Sequence, residues 1–294
     1  MHNLDKDTYK FCNFAFMRRI IFVLAMLAVS ASAFGQAQIT TKKEKLKDFE
    51  VKTMKVVLTG NDFIDPAFKE AVKNTWTISP FEFCTMDEFN WLKANPDYYF
   101  LVPVKATYKN EAFPGIMMLT LAKGKPGAEN INGMLEVISI PMCPADIPSG
   151  RETSMLPGLM DVIQNYVSRS LISGFKGLKS CVKRRPGGCK VYIAESEVSE
   201  TVDENEKERL RNKGALIVED EVADSMFIEG DPDVAVSYLV APAAAEKGSI
   251  CWKMVIGART HDLYYLKKHT LAGPDSRGFL KGEISKLSSK LSSK

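Results

Sequence analysis

The chain has 294 residues, of which 45% are hydrophobic and 26% are charged. Its 39 Lys and Arg residues nearly balance 36 Asp and Glu residues, so the formal net charge is only +3. A balance this close to neutral leaves no electrostatic footprint for a polyphosphate backbone, and we therefore expect no nucleic-acid partner. The length is sufficient for one large domain or two ordinary ones, each with its own buried core.

The first 33 residues contain the three parts of a secretory signal peptide. Arg18 and Arg19 precede an uninterrupted apolar run at residues 20–29, and small residues follow as far as Ala33. As a helix this run would span about 15 Å, against roughly 30 Å of bilayer hydrocarbon, so a cleaved signal is favoured over a permanent anchor. We predict that translation starts at Met17 and that cleavage follows Ala33. The mature protein would then be periplasmic or secreted, with no transmembrane segment.

A basic connector at residues 34–49 leads into a predicted first α/β unit at residues 50–180. The pattern predicts a short buried strand, a helix, a second strand at residues 76–83 and a second helix that begins with a capping box. A turn at residues 95–97 precedes two or three further strands. An apolar-faced helix at residues 156–172 completes the unit.

The same order of elements is predicted at residues 181–288, ahead of a polar Ser/Lys tail at residues 289–294. In the first unit, 42 residues separate Lys55, at the start of the first strand, from Asp97, at the end of the turn. In the second unit, 43 residues separate Lys190 from the end of the equivalent turn, Asp231–Asp233. Matched spacing predicts an α/β (α+β) fold of mixed sheets with flanking helices, built as a tandem duplication of a βαβ(α)βββ unit. One continuous α/β sheet is the alternative.

A duplication requires equivalent residues at equivalent places in the two sheets. We expect the pair Tyr99–Phe100 to match the pair Ala235–Val236, because each pair follows its turn by the same number of residues. We also expect Val57 to match Tyr192 or Ile193. All of these residues are predicted to lie on interior strands.

Five cysteines remain after signal cleavage, and an oxidising compartment allows them to pair. They are Cys84, Cys143, Cys181, Cys189 and Cys251. The stretch between Cys181 and Cys189 contains Pro186-Gly187-Gly188, which can reverse the chain, so we predict that these two cysteines can form a disulfide. Buried free thiols are the alternative, and Cys84 and Cys251 favour it because both lie in apolar runs.

Inspection of the sequence gives no motif for catalysis, metal binding or nucleotide binding. Residues 174–180 contain two glycines and two lysines, but the glycines lack the four-residue spacing of a Walker loop. His261 is expected in a solvated hairpin connection and His269 at an exposed strand end. The acidic runs at 195–208 and 219–221 lack the ligand pattern of a calcium loop, and the chain has no short Cys/His spacing typical of zinc. We therefore predict no catalytic residues, no cofactor and no metal site.

These observations favour a non-enzymatic binding or scaffold module whose partner is another envelope protein or a cell-wall component. Repeated α/β units in an exported chain look like the adaptor modules of Gram-negative envelope assemblies, an analogy of fold alone. The candidates for partner contact, most of them expected in the core, are Met54, Trp76, Trp91, Tyr98, Tyr99, Met117 and Met118. The alternative is an extracytoplasmic hydrolase that uses a carboxylate or an unpaired Cys, for which a concave site with convergent polar groups would be the evidence.

Overall fold

Two mixed β-sheets and their helices make up the part of the chain that the structure, a computed structural model, describes. The described residues are 45–108, 111, 114–147, 149–174 and 176–289. The predicted signal peptide, most of the predicted connector and nearly all of the predicted tail lie outside these ranges, so export and cleavage remain predictions. None of the described helices is both long enough and apolar enough to cross a membrane.

The first sheet has the strand order β2-β1-β3-β4-β5. Its strands are β1 (Met54–Val57), β2 (Phe81–Cys84), β3 (Tyr99–Ala106), β4 (Ile116–Lys123) and β5 (Leu135–Pro144). Strand β1 is parallel to β2 and β3, whereas β4 is antiparallel to β3 and β5. The accompanying helices are α1 (Ile64–Thr75), α2 (Met86–Leu92) and α3 (Glu152–Ser173).

The second sheet repeats this arrangement with the order β7-β6-β8-β9-β10. Its strands are β6 (Lys190–Ala194), β7 (Leu216–Val218), β8 (Val234–Val240), β9 (Ile250–Gly257) and β10 (Leu263–Thr270). Strand β6 is parallel to β7 and β8, and β9 is antiparallel to β8 and β10. The helices are α4 (Glu204–Asn212), α5 (Asp220–Glu229) and α6 (Lys281–Ser288).

The two sheets therefore form a structural repeat, and the predicted α/β fold class is confirmed. The turns before β3 and β8 are built alike, because the Asn95 side chain accepts the Asp97 amide at 2.9 Å and the Asp231 side chain accepts the Asp233 amide at 2.8 Å. The alternative of one continuous sheet is wrong, since the strands belong to two separate sheets.

The ladders also fix which residues correspond between the repeats. Tyr99 and Ala235 lie four residues after the first residue of their turns, as predicted, and they pair with Met54 and Val191 respectively. Met54 is therefore equivalent to Val191, and Val57 is equivalent to Ala194. The expected match of Val57 with Tyr192 or Ile193 is wrong because β6 begins one residue earlier, at an exposed Lys, than β1 does.

The second predicted strand and the capping box illustrate how local sequence sets the elements. The strand is shorter than predicted, because Trp76 ends α1 and only Phe81–Cys84 pairs with β1. The capping box at the start of α2 is confirmed: Glu88 donates its amide to the Thr85 hydroxyl at 3.2 Å, and its carboxylate accepts the Thr85 amide at 2.7 Å.

Helix α3 lies between the two sheets and is buried on most of its sides. The Gln164 side chain of α3 accepts the Thr77 amide, just after α1, at 2.8 Å. On the opposite side of α3, Gly158 lies against Phe227 of α5 and Ile256 of β9. Helix α3 thus covers the inner face of the first sheet together with α1, and the inner face of the second sheet together with α5.

The outer faces of the two sheets are covered unequally. Helices α4 and α6 cover the second sheet with a core that includes Leu210, Phe279 and Ile284. On the first sheet, the described cover consists of the seven-residue helix α2 and a 3₁₀ turn at Ile131–Gly133, which pack on Phe100 and its neighbours. The first sheet therefore has less helical cover on its outer face than the second sheet has.

Candidate functional site

An apolar groove of about 400 Å³ lies on the outer face of the first sheet, beside α2. Its floor is formed by β3 and β4 at Val102, Pro103, Val104 and Met117, and the exposed Lys105 lies at its edge. Its walls are formed by α2 and two loops at Thr59, Met86, Phe89, Asn90, Lys93, Glu129, Asn130 and Ile131.

Local sequence patterns place these side chains around the groove. The α2 residues Met86, Phe89, Asn90 and Lys93 follow one another at spacings of three, one and three, so they share one side of the helix. Val102 and Val104 alternate along β3 toward the outer face. Met117 adds to the floor at a register shift between β4 and β5. The groove is therefore built on regular elements.

The groove includes the carboxyl ends of the parallel strands. Thr59 follows β1, Met86 follows β2, and Lys105 is near the end of β3. In open α/β sheets, ligands bind outside these ends where successive crossovers go to opposite faces. Helices α1 and α2 lie on opposite faces of the first sheet in this way, so the groove reaches the carboxyl ends of β1 and β3 beside such a crossover point.

The polar groups of the groove lie on its rim. Lys93, Lys105 and Glu129 carry the charges, and the Lys93 ammonium donates to the Asn90 side chain at 3.1 Å. On α2, Met86 is 43% exposed and Trp91 is 87% exposed. An apolar floor with a mixed polar rim suits an amphipathic ligand.

The face of the second sheet that is equivalent to the groove face is its inner face. A helix covers it where the first sheet has this groove. By the ladder correspondence, Val102 is equivalent to Tyr238 and Val104 to Val240, and both residues of the second sheet are buried. Tyr238 lies beside the start of α3, with its hydroxyl bonded to the carbonyl of Met142. Helix α3 and α5 together close this face of the second sheet.

Among the residues predicted for partner contact, the structure separates surface from core. Met54, Trp76, Tyr99 and Met118 are buried, and Tyr98 is half-buried. Trp91 is exposed on α2 and Met117 is half-buried in the groove. Sequence reasoning missed the other groove residues because their exposure depends on the missing helical cover, which has no local signal.

All five described cysteines are buried free thiols. Cys181 ends a 3₁₀ turn beside Tyr166 and Arg169 of α3, whereas Cys189 immediately precedes β6. Burial raises the pKa of both thiols. Pairing of Cys181 with Cys189 on oxidation stays a prediction.

Several residues with shifted pKa values in the second repeat lie beneath α6. Cys251 pairs directly with His269 across β9 and β10, but Cys251 is fully buried and burial raises the pKa of its thiol to about 11. Burial also lowers the pKa of His269. The Cys251 thiol is therefore protonated and inaccessible, which is unfavourable for a nucleophile.

Glu283 is the carboxylate of the same cluster. It accepts a hydrogen bond from the Lys253 ammonium at 2.6 Å and another from Lys267. Burial alone would raise the pKa of Glu283, but hydrogen bonds from the Leu280 amide and the two lysines lower it to about 2. A carboxylate so firmly ionised cannot act as a general acid near neutral pH.

A second buried network joins the two repeats. Arg151, at the start of α3, bonds to Glu197, and its Nη2 atom is 2.8 Å from the Asp224 carboxylate of α5. Glu197 also accepts the Ser237 hydroxyl and the Leu239 amide. Glu197 thus connects Arg151 of the first unit to β8 of the second, so the network links the two repeats.

His261 also contributes to the contact with α3. Its Nδ1 atom is 2.6 Å from the Asp161 carboxylate, and its ring stacks on Phe227 with centroids 5.2 Å apart. The expectation of a solvated turn residue is therefore wrong, because the hairpin connection folds back onto α3.

Comparison of the chain with protein-family models, with curated proteins and with solved structures finds no match. Within the described ranges, no group of three or more His, Cys, Asp or Glu residues is arranged to hold a metal ion. The functional interpretation therefore depends on the geometry of this chain.

Proposed function

We propose that the protein is an exported, non-enzymatic binding or scaffold module of the cell envelope. The groove beside α2 receives an amphipathic helix from another envelope protein. One observation carries this proposal: the equivalent face of the second sheet is covered by a helix, α3, whereas the first sheet has the groove at that place.

The shape and chemistry of the groove support a helical occupant. An amphipathic helix offers an apolar stripe with anchors at i, i+3, i+4 and i+7, flanked by polar side chains. The stripe would lie on Val102, Val104 and Met117, and the polar flanks would meet Lys93, Lys105 and Glu129 on the rim. The repeat provides the precedent, since α3 packs in this manner on β8 and β9.

The alternative, a hydrolase that uses a carboxylate or an unpaired Cys, has less support. Cys251 is buried under α6, its ladder partner His269 is half-buried, and Glu283 is bound by two lysines. Neither group lines the groove. These positions favour the binding module.

Site-specific photocrosslinking in the intact envelope tests the proposal. A photoreactive residue replaces Met117 in the groove, and a matched residue replaces the exposed Glu208 of α4 as a control. We expect Met117 to crosslink to positions of one protein segment spaced by three or four residues, and Glu208 to give no such set. Crosslinks to alternate residues of an extended segment, to glycan or to lipid alone would contradict the proposal.

Binding of the purified segment completes the test. Met117→Asp places a charge on the apolar floor. It should raise the dissociation constant at least about tenfold, because the charge loses its hydration when the segment binds. The control Glu208→Ala should leave it unchanged. Equal affinities for Met117→Asp and the unaltered protein would also reject the groove as the docking site.

A further inference from the structure

The segment between the two repeats concentrates positive charge. Residues 169–190, here named the cationic connector, run from the last turns of α3 to the start of β6 and contain seven Lys and Arg residues but no Asp or Glu. The whole chain is close to neutral, so this concentration is local. We propose that the cationic connector binds the phosphate headgroups of an anionic lipid surface.

A polar pocket of about 290 Å³ lies on the cationic connector. Arg169 and Lys176 line it together with Ser170, Ser173 and Ser180, of which Ser180 donates its hydroxyl to the Gly177 carbonyl at 2.7 Å. No carboxylate lines this pocket, although Glu136 of β5 is close enough to act on the neighbouring Tyr166. Two cations beside serine side chains are groups that can bind a phosphate oxygen.

Some of the cations are committed to the fold. Arg169 donates to the Ser180 carbonyl at 3.2 Å, which holds its guanidinium at the pocket. Lys183 pairs with Asp262 at 2.5 Å. Arg185 donates to carbonyls at the end of α6. These contacts account for three of the seven positive charges.

The other four cations are all exposed: Lys176, Lys179, Arg184 and Lys190. None of them has a carboxylate partner within the part of the chain that the structure describes. Some positive charge near Ser173 offsets the negative end of the α3 dipole, but that effect extends over about one turn. Four exposed cations exceed that need and can meet an external anion.

Exposed apolar side chains beside these cations favour a lipid surface over a soluble anion. Ile172 is 87% exposed in the last turn of α3, and Val182 is 37% exposed next to Lys183. Cations that meet headgroups while apolar neighbours enter the interface are the pattern of peripheral membrane binding. A free phosphate would fill the pocket without using Ile172.

Vesicle co-sedimentation tests the inference with the full mature chain. The probes are vesicles of phosphatidylcholine with and without phosphatidylglycerol. We expect binding only with phosphatidylglycerol, weakened by salt. The triple variant Lys176→Glu, Lys179→Glu, Arg184→Glu should reduce it about a hundredfold, since each cation contributes several-fold. Ile172→Ser should weaken it by a smaller factor.

A matched triple variant controls for net charge. Lys125, Lys213 and Lys247 are exposed and lie outside the cationic connector, so their exchange for Glu should leave binding within about threefold. An equal loss in both triple variants would overturn the inference, as would no binding by the unaltered protein. A third outcome would also overturn it: the protein binds inorganic phosphate in solution, and Ile172→Ser does not change vesicle binding. That result would indicate a soluble anion as the ligand. Circular dichroism of each variant verifies folding.

Discussion

Glu197 is the residue on which the contact between the repeats depends most directly. Its side chain is 5% exposed and accepts hydrogen bonds from Arg151, Ser237 and the Leu239 amide. Removing one partner of a buried ion pair leaves the other charge without compensation, which costs more than the pair itself contributes.

We predict that Glu197→Ala lowers the free energy of unfolding by about 3–5 kcal/mol, because Arg151 would stay buried without this partner. Urea denaturation measures the effect. The exposed neighbour Glu200 provides the control, and Glu200→Ala should change stability by no more than about 0.5 kcal/mol. Similar small changes for both variants would mean that the network is not a clamp.

The lowered pKa of Glu283 predicts how the stability of the protein depends on pH. Its pKa is near 4.5 when unfolded and about 2 in the fold, so the carboxylate stabilises the protein above pH 4.5 and that stability is lost as pH falls toward 2. The difference corresponds to about 3 kcal/mol. Glu283→Gln should therefore flatten the stability curve between pH 5 and pH 2, whereas exposed Glu229→Gln should not. Parallel curves for Glu283→Gln and the unaltered protein would refute this.

The cysteines offer a prediction about the oxidised protein. If Cys181 and Cys189 pair after export, two of the five thiols are lost, so denatured exported protein should react with a thiol reagent at three sites and reduced protein at all five. The Cys181→Ser, Cys189→Ser double variant should give three sites in both states. Five reactive sites in the unreduced protein would show that these thiols remain free.

At the scale of the elements, helix α3 has an unusually tight contact. A Cβ atom on Gly158 would stand 2.8 Å from the Phe227 ring and 3.4 Å from Ile256, so the absence of a side chain lets α3 approach α5 and β9. A Cβ atom on Gly282 of α6 would meet no other atom within 4 Å. The two glycines therefore separate packing from helix propensity.

We predict that Gly158→Ala destabilises the protein by about 1–3 kcal/mol, because overpacking against Phe227 exceeds the gain in helix propensity. Gly282→Ala should be neutral or stabilise by up to about 1 kcal/mol, since only the propensity term operates. Thermal and urea unfolding measure both effects. A stabilising Gly158→Ala would show that α3 does not pack this closely on the second sheet.

Local signals in the sequence were sufficient for elements but insufficient for their contacts. The capping box at Thr85 and the repeated turns were predictable because their hydrogen bonds join residues two or three positions apart. Arg151 and Glu197 are 46 positions apart, and nothing near either residue indicates its partner. The same limit explains why His261 was expected in solvent.

At the scale of the whole molecule, the repeat explains both the shared helix and the groove. Residues 48–294 form one compact unit in which α3 serves two sheets at once. The repeated arrangement could be predicted from spacing, because matching elements follow one another at nearly equal intervals in the two units. The groove could not be predicted. It arises because the first sheet has no helix at the place where α3 covers the equivalent face of the second sheet.

The accessibility of the groove in the cell tests the central proposal most directly. All five described cysteines are buried, so a new thiol at the exposed Asn90, in the wall of the groove, can be labelled over a low background. We predict that a maleimide labels Asn90→Cys rapidly in the purified protein but slowly in the intact envelope, where a partner helix covers it. The control Glu208→Cys should react at the same rate in both. Equal labelling of Asn90→Cys in both settings would contradict the proposal.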